Sequence, residues 1–212
     1  MSQHVAIVGA GVIGIACAHY LRAAGHEVTL IDQGEVGSGA SRHNCGHILP
    51  SHVLPLNEPA AIITGLKSLF NPSAPFRVKP TLDPATLRWF AAFVRRCNER
   101  WMLHAGAALK ALLDSSRAEY DALLAPDGLQ ADWSRQGLLH VFKDQRGWDA
   151  FASTVQLLEE EFGISARPLI GDMAANFEPA LRPGLAGAFH YEGDAHLNPH
   201  LLDWKDLQPA YR

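Results

Sequence analysis

Cysteine is scarce in this chain of 212 residues: there are three, Cys17, Cys45 and Cys97, odd in number and far apart. They make no disulfide framework, and a reducing, cytoplasmic setting is the simpler expectation. Positive charge is also short. Lys and Arg total 18 against 22 Asp and Glu, a formal net charge of −4 with histidines neutral. That argues against nucleic acid as a partner, because phosphate binding needs a concentrated positive field. No run approaches the ~18 uninterrupted apolar residues of a membrane-spanning helix. The opening MSQHVAIVGAGVIG carries no basic leader, so no signal peptide is expected. Repeats, low-complexity tracts, a serine–histidine–acid triad, a P-loop and a paired-carboxylate site are all missing. What is present is a composition 48% hydrophobic and 19% charged, enough to bury a core in one large domain or two small ones.

The first thirty-two residues are the most informative. Val5-Ala6-Ile7-Val8 is a short apolar run of the kind found in a strand buried on both faces. Gly9-Ala10-Gly11-Val12-Ile13-Gly14 follows directly, and from Val12 to Ala24 the apolar spacing turns helical. Gly25 fits the left-handed residue that ends a helix. Val28-Thr29-Leu30-Ile31 is a second strand with Asp32 at its tip. Each part has a chemical reason. Gly9 permits the tight turn, Gly11 lets backbone N–H groups approach a pyrophosphate, and Gly14 allows the helix to lie close to the strand. The helix N-terminus then offers its unpaired donors to the phosphates. Asp32 lies 18 residues after Gly14, near the usual ~20 for a carboxylate that binds ribose hydroxyls. An acid there favours an unphosphorylated adenosine ribose.

A nicotinamide-binding domain would continue into another helix and a third parallel strand. This chain runs instead into Gly34, Gly37-Ser38-Gly39-Ala40-Ser41, Asn44 and Gly46, a loop of small hydrogen-bonding residues. Residues 5–46 resemble the start of the FAD-dependent D-amino-acid oxidase superfamily, and within it the bacterial D-amino acid dehydrogenases. That family follows its glycine fingerprint with a motif GxxSxxNxGxxxP, which Gly39, Ser41, Asn44, Gly46 and Pro50 resemble. The resemblance implies that Ser41, Asn44 and Gly46 lie along FAD and that His47 approaches the flavin ring. Weaker likenesses extend it over residues 4–202: the stretch 62–103 with Phe70 and Pro75, the strand Leu138 to Phe142, Phe177-Glu178-Pro179-Ala180-Leu181, and Gly193-Asp194 through Asn198-Pro199. The implied cofactor is FAD, bound by Gly9, Ala10, Gly11, Val12, Ile13, Gly14, Asp32, Gly39, Ser41, Asn44, Gly46 and His47. The implied substrate is an amino acid, with a D-amino acid expected, oxidised at its Cα–N bond. No catalytic residue is assigned.

His43, Cys45 and His47 also read as a metal clip, since alternating residues of an extended strand share a face. Zinc or copper would want a fourth ligand, and His52 is the near candidate. The flavin clamp is the preferred reading and no metal is expected. Covalent flavin attachment at Cys45 or a nearby histidine is a chemical alternative.

The fold class expected is α/β: the start of an FAD-type Rossmann domain over residues 1–50, a mixed α+β substrate domain over 51–192, and a return to the FAD domain over 193–212. Residues 84–124 are expected to be helix-rich, with Leu87, Phe90, Ala91, Val94, Cys97 and Trp101 on one core-packed face. Strands are expected at 138–142 and 185–191 with a helix over 156–162 between them. His190 and His196 are read as structural. Trp89 among Arg96 and Arg100, with Arg77, Lys79 and Arg88 near, suggests a peripheral membrane contact on the inner face or a respiratory-chain partner. Family members continue well beyond the last residue, and the resemblance lapses over the final ten. The chain therefore reads as an N-terminal portion, and the alternative to an enzyme is an incomplete dinucleotide-binding fragment that needs a complementary chain. An NAD-dependent dehydrogenase is a third reading.

Overall fold

The computed structural model describes residues 1–70, 81–124 and 131–199. The expectations placed on Pro75, Arg77 and Lys79, and on a helix following Pro199, lie outside the described residues. His4–Val8 form strand β1, Val12–Ala23 helix α1 and Glu27–Ile31 strand β2. β1 and β2 pair in parallel, with Val5 opposite Val28 and Val8 opposite Ile31. This is the pairing that a helical crossover between two apolar runs permits. The helix leaves through Gly25 at φ +84°. There Gly25 N–H donates to the Arg22 carbonyl and His26 N–H to that of Leu21, satisfying carbonyls that α1 leaves open.

The chain divides into two compact units. One takes Met1–Leu49, Arg117–Leu138 and the chain from Glu192 onward; the other takes Pro50–Ser116 and Leu139–Tyr191. The single run expected over 51–192 is therefore interrupted, because Arg117–Leu138 belongs with the first unit. Packing explains it. Leu124, Ala131 and Leu197 form a buried cluster with Tyr120 and Trp133 against it, and Tyr20 of α1 donates to Glu119 at 2.5 Å. In the same unit His47–Ile48 (β3) pair antiparallel with Ala195–His196 (β7), and Ser134 exchanges backbone hydrogen bonds with His196.

The second unit holds α2 (Ala60–Phe70), α3 (Pro84–Val94), α4 (Glu99–Leu123) as far as Ser116, β4 (Leu138–Phe142) from Leu139 on, α5 (Gln145–Phe162), β5 (Arg167–Ile170), α6 (Met173–Phe177) and β6 (Gly187–Tyr191). Its sheet has the order β4-β6-β5, with β5 and β6 antiparallel. The core gathers Val53, Val155, Leu158, Phe162, Phe189 and Tyr191, each worth roughly 1.5–3 kcal/mol for the larger side chains fully removed from water. Trp148 stacks on Phe189 with ring centroids 4.1 Å apart.

Several expectations need correction. Residues 84–124 are helix-rich as expected, but the single apolar face is not kept: α3 and α4 are separated by a tight turn at 95–98, where Arg96 N–H donates to the Phe93 carbonyl and Cys97 N–H to that of Val94. Asn98 Oδ1 then accepts from Trp101 N–H at the start of α4. The continuous apolar face is lost. Cys97 is buried, but Leu87, Val94 and Trp101 are exposed, and α3 buries no residue. Trp89 stacks on Phe93, while Arg96 lies over Trp101 instead. The helix expected at 156 begins at Gln145, where Asp144 accepts from Gly147 N–H at 2.8 Å as its cap. The strand expected at 185–191 begins at Gly187, not at Leu185. β5 was not expected, its Pro168 counting against a strand, and it lies at the sheet edge where proline is tolerated.

Candidate functional site

The site builds from the turn between β1 and α1. Gly9 sits at φ +109°, a region costly for any residue with a Cβ, and its N–H donates to the Ile31 carbonyl at 2.7 Å. Gly14 lies directly over that turn. A Cβ there would fall on the Gly9 carbonyl oxygen and 3.0 Å from its carbon. Gly11 is the N-cap of α1 and brings no side chain to it, and the first turn of the helix carries no acidic residue. An anion approaching this helix end therefore meets N–H groups with no acidic side chain within the first turn of the helix.

Asp32 closes the turn from the β2 side. Its Oδ2 accepts from Ala10 N–H at 2.6 Å and its Oδ1 from Gly34 N–H at 2.9 Å. Those donors, Ala10 first, hold the carboxyl below the usual carboxylate range. Each oxygen keeps a second lone pair, so a ribose hydroxyl still finds an acceptor on this exposed group. The following loop docks back on the turn, with Gly37 N–H donating to the Ala10 carbonyl at 2.8 Å.

Ser41 and Asn44 organise the loop. Ser41 Oγ accepts from Val12 N–H at 3.0 Å, capping α1 from 29 residues away in sequence. Asn44 donates through Nδ2 to the Ser41 carbonyl at 3.0 Å and accepts through Oδ1 from Gly46 N–H at 2.7 Å. Gly46, at φ +64°, lies so close to the Leu197 carbonyl that no Cβ fits. Val12, Ser41, Asn44, Gly46 and His47 share a hollow of about 200 Å³ with Tyr120 of α4 and with Pro199. That is below the ~300–1,000 Å³ of whole-ligand pockets, so the hollow suits one portion of a dinucleotide. The remaining nominated residues are not brought to it. Ile13 is 77% exposed and Gly39 lies at the surface of the loop.

The geometric premise of the metal clip fails. Residues 37–44 are turns and bends, not an extended strand, and of the three nominated ligands only His47 lies in a strand. Among the described residues no three His, Cys, Asp or Glu side chains are placed to hold a metal ion. Two contributors escaped the sequence reading, Tyr120 and Leu197. They lie about 75–150 residues from the loop, and no local spacing links them to it.

A parallel strand–helix–strand unit with a glycine turn, an acid at the second strand tip and a helix end open to anions defines a dinucleotide-binding protein of the Rossmann type. The family model described as FAD dependent oxidoreductase, DAO, matches residues 4–205, and the chain belongs to that family. FAD is the family's cofactor. The chain is 32% identical over 197 residues to a D-amino acid dehydrogenase of Azorhizobium caulinodans, covering 91% of this chain and 47% of that protein. It is 34% identical over 197 residues to one of Agrobacterium fabrum, with the same coverage. The chain thus spans about half the length of these curated relatives. Among solved structures it resembles glycine oxidase from Bacillus cereus, with a TM-score of 0.61 at 20% identity over 98% of this chain and 42% of that one. It also resembles L-amino acid deaminase from Proteus vulgaris, with a TM-score of 0.57 at 15% identity over 98% of this chain and 36% of that one. At those identities the likeness is one of fold.

Proposed function

We propose that this chain contributes the FAD-binding part of an oxidoreductase that oxidises the Cα–N bond of a D-amino acid to an imine, which water converts to a 2-oxo acid and ammonia. When bound, FAD supplies the hydride acceptor. The residues here would bind and orient it. The α1 N-terminus and Ser41 would hold the pyrophosphate, Asp32 the adenosine ribose, and Asn44, Gly46 and His47 the segment leading to the flavin. The unit beginning at Pro50 is assigned as the substrate portion. The observation that carries the reading is the α1 N-terminus, free of acidic residues, opening with Ser41 and Asn44 onto one hollow. The D configuration rests on the names of the relatives. The test is the absorbance spectrum of the purified protein reconstituted with FAD. Bound flavin that bleaches anaerobically on adding a D-amino acid, and not its L isomer, is expected; a protein that binds no flavin overturns the reading.

A second reading, that catalysis requires a complementary polypeptide, is favoured by the β1–β2 pair. Parallel sheets are normally covered on both faces, yet Val8 is 85% and Ile31 49% exposed. Flavin bound without bleaching, with turnover restored by the remaining half of a relative, is its expected result. For a peripheral membrane contact the supporting feature is α3, whose Leu87, Trp89 and Val94 are exposed beside Arg88 and Arg95. Co-sedimentation with anionic vesicles that survives Trp89→Ala together with Arg88→Ala would exclude this helix. Among the described residues no helix is long and apolar enough to cross a membrane.

A further inference from the structure

Tyr120 enters the hollow from α4, a hundred residues beyond the glycine turn. Its ring is fixed from behind, stacked on Trp133 with centroids 6.2 Å apart at 22° and packed against the buried cluster of Leu124, Ala131 and Leu197. The side chain is half-buried, and burial pushes the phenol above its ordinary pKa, so it remains a neutral donor through the physiological range. Among the described residues no hydrogen bond is made by its hydroxyl, whereas the neighbouring Tyr20 spends its own on Glu119. A half-buried tyrosine whose ring is fixed and whose hydroxyl is unused at the wall of a binding hollow is placed to serve a ligand there.

The position of the hollow says which part of the ligand. Val12 and Ser41, at the helix end that suits a pyrophosphate, line it, and so do His47 and Pro199. Asp32 and Ala10, which mark the adenosine side, do not. The hollow therefore runs from the pyrophosphate away from the adenosine. We propose that Tyr120 is a cofactor-contacting residue that donates a hydrogen bond to an oxygen on the flavin-side half of FAD, a contact absent from ADP. This rests on the FAD reading above.

The test compares FAD and ADP binding by the purified chain and by Tyr120→Phe, using flavin fluorescence for FAD and titration calorimetry for ADP. Phenylalanine keeps the ring stacked on Trp133, and circular dichroism melts confirm that both proteins are folded. Loss of one neutral hydrogen bond should raise the FAD Kd about three- to tenfold, with ADP affinity unchanged. FAD affinity equal to wild type, or an equal loss for ADP, overturns the assignment of Tyr120. Wild-type protein that binds ADP but not FAD overturns the flavin reading itself, a result distinct from either.

Discussion

Gly14→Ala tests the turn on which the cofactor reading depends. The added methyl would clash severely with the Gly9 carbonyl oxygen, stand 3.0 Å from the Gly9 carbonyl carbon and 3.5 Å from Ile7 Cγ2. Carbon atoms prefer about 3.5–4.0 Å, so α1 must lift away from β1 or the turn must deform. The two nearest obstacles are not flexible side-chain tips: they belong to the backbone of a glycine already held at φ +109° by its bond to the Ile31 carbonyl. Overpacking costs about 1–3 kcal/mol when side chains can adjust, and here the upper end applies, roughly 3 kcal/mol. Gly11→Ala is the control. Its Cβ meets only the Ser41 hydroxyl, at 3.2 Å, and an alanine at an N-cap costs under about 1 kcal/mol relative to glycine. Urea unfolding followed by circular dichroism separates the two. With a slope of about 1–3 kcal/mol/M, Gly14→Ala should lower the midpoint by roughly 1 M or more. A Gly14→Ala midpoint equal to that of Gly11→Ala would refute the close-packing argument.

Asp32 has a depressed carboxyl pKa in the folded chain, so its contribution to stability is present above the unfolded value of about 3.9 and fades as pH falls through the folded one. The gap in unfolding midpoint between wild type and Asp32→Ala should narrow on acidification from pH 6 towards pH 2; a gap that stays constant counts against the Ala10 and Gly34 hydrogen bonds. Tyr20 runs the other way. Its pKa is pushed up to about 12, first by the hydrogen bond to Glu119 and then by burial, so its contribution is full below about pH 10 and is lost as pH rises towards 12. Tyr20→Phe should therefore differ from wild type at neutral pH and converge with it in alkaline buffer, and a difference that persists at pH 12 would dismiss the Glu119 bond. Asp144→Ala removes the cap that starts α5 and should cost about 1 kcal/mol, read from thermal unfolding; Asp144→Ser should recover most of it.

The first thirty-two residues were legible because every signal in them is local. Strand, turn, helix and strand are each set by residues within a few positions, and the parallel register of Val5 with Val28 follows directly. The loop was legible by resemblance, but its internal logic was not: nothing in the spacing shows that Ser41 caps α1 or that Asn44 bridges Ser41 and Gly46. The turn at Arg95–Asn98 was hidden because the apolar spacing runs on through it, and only the backbone bonds of Arg96 and Cys97 reveal the break. The cap at Asp144 was missed because the helix was expected only over 156–162, well after its true start. The membership of Arg117–Leu138 in the first unit was out of reach, since it is decided by Leu124, Ala131 and Leu197 meeting from distant segments.

The pairing of His47 with His196 has a consequence for biosynthesis. As the chain leaves the ribosome, β1, α1 and β2 have their strand and helix backbone partners within the first thirty-odd residues and can form early. The wall that Gly46 shares with Leu197 has no second side until nearly 150 further residues have been made. At about 5–20 residues per second, the serine and asparagine loop waits roughly ten seconds or more with its inner surface open.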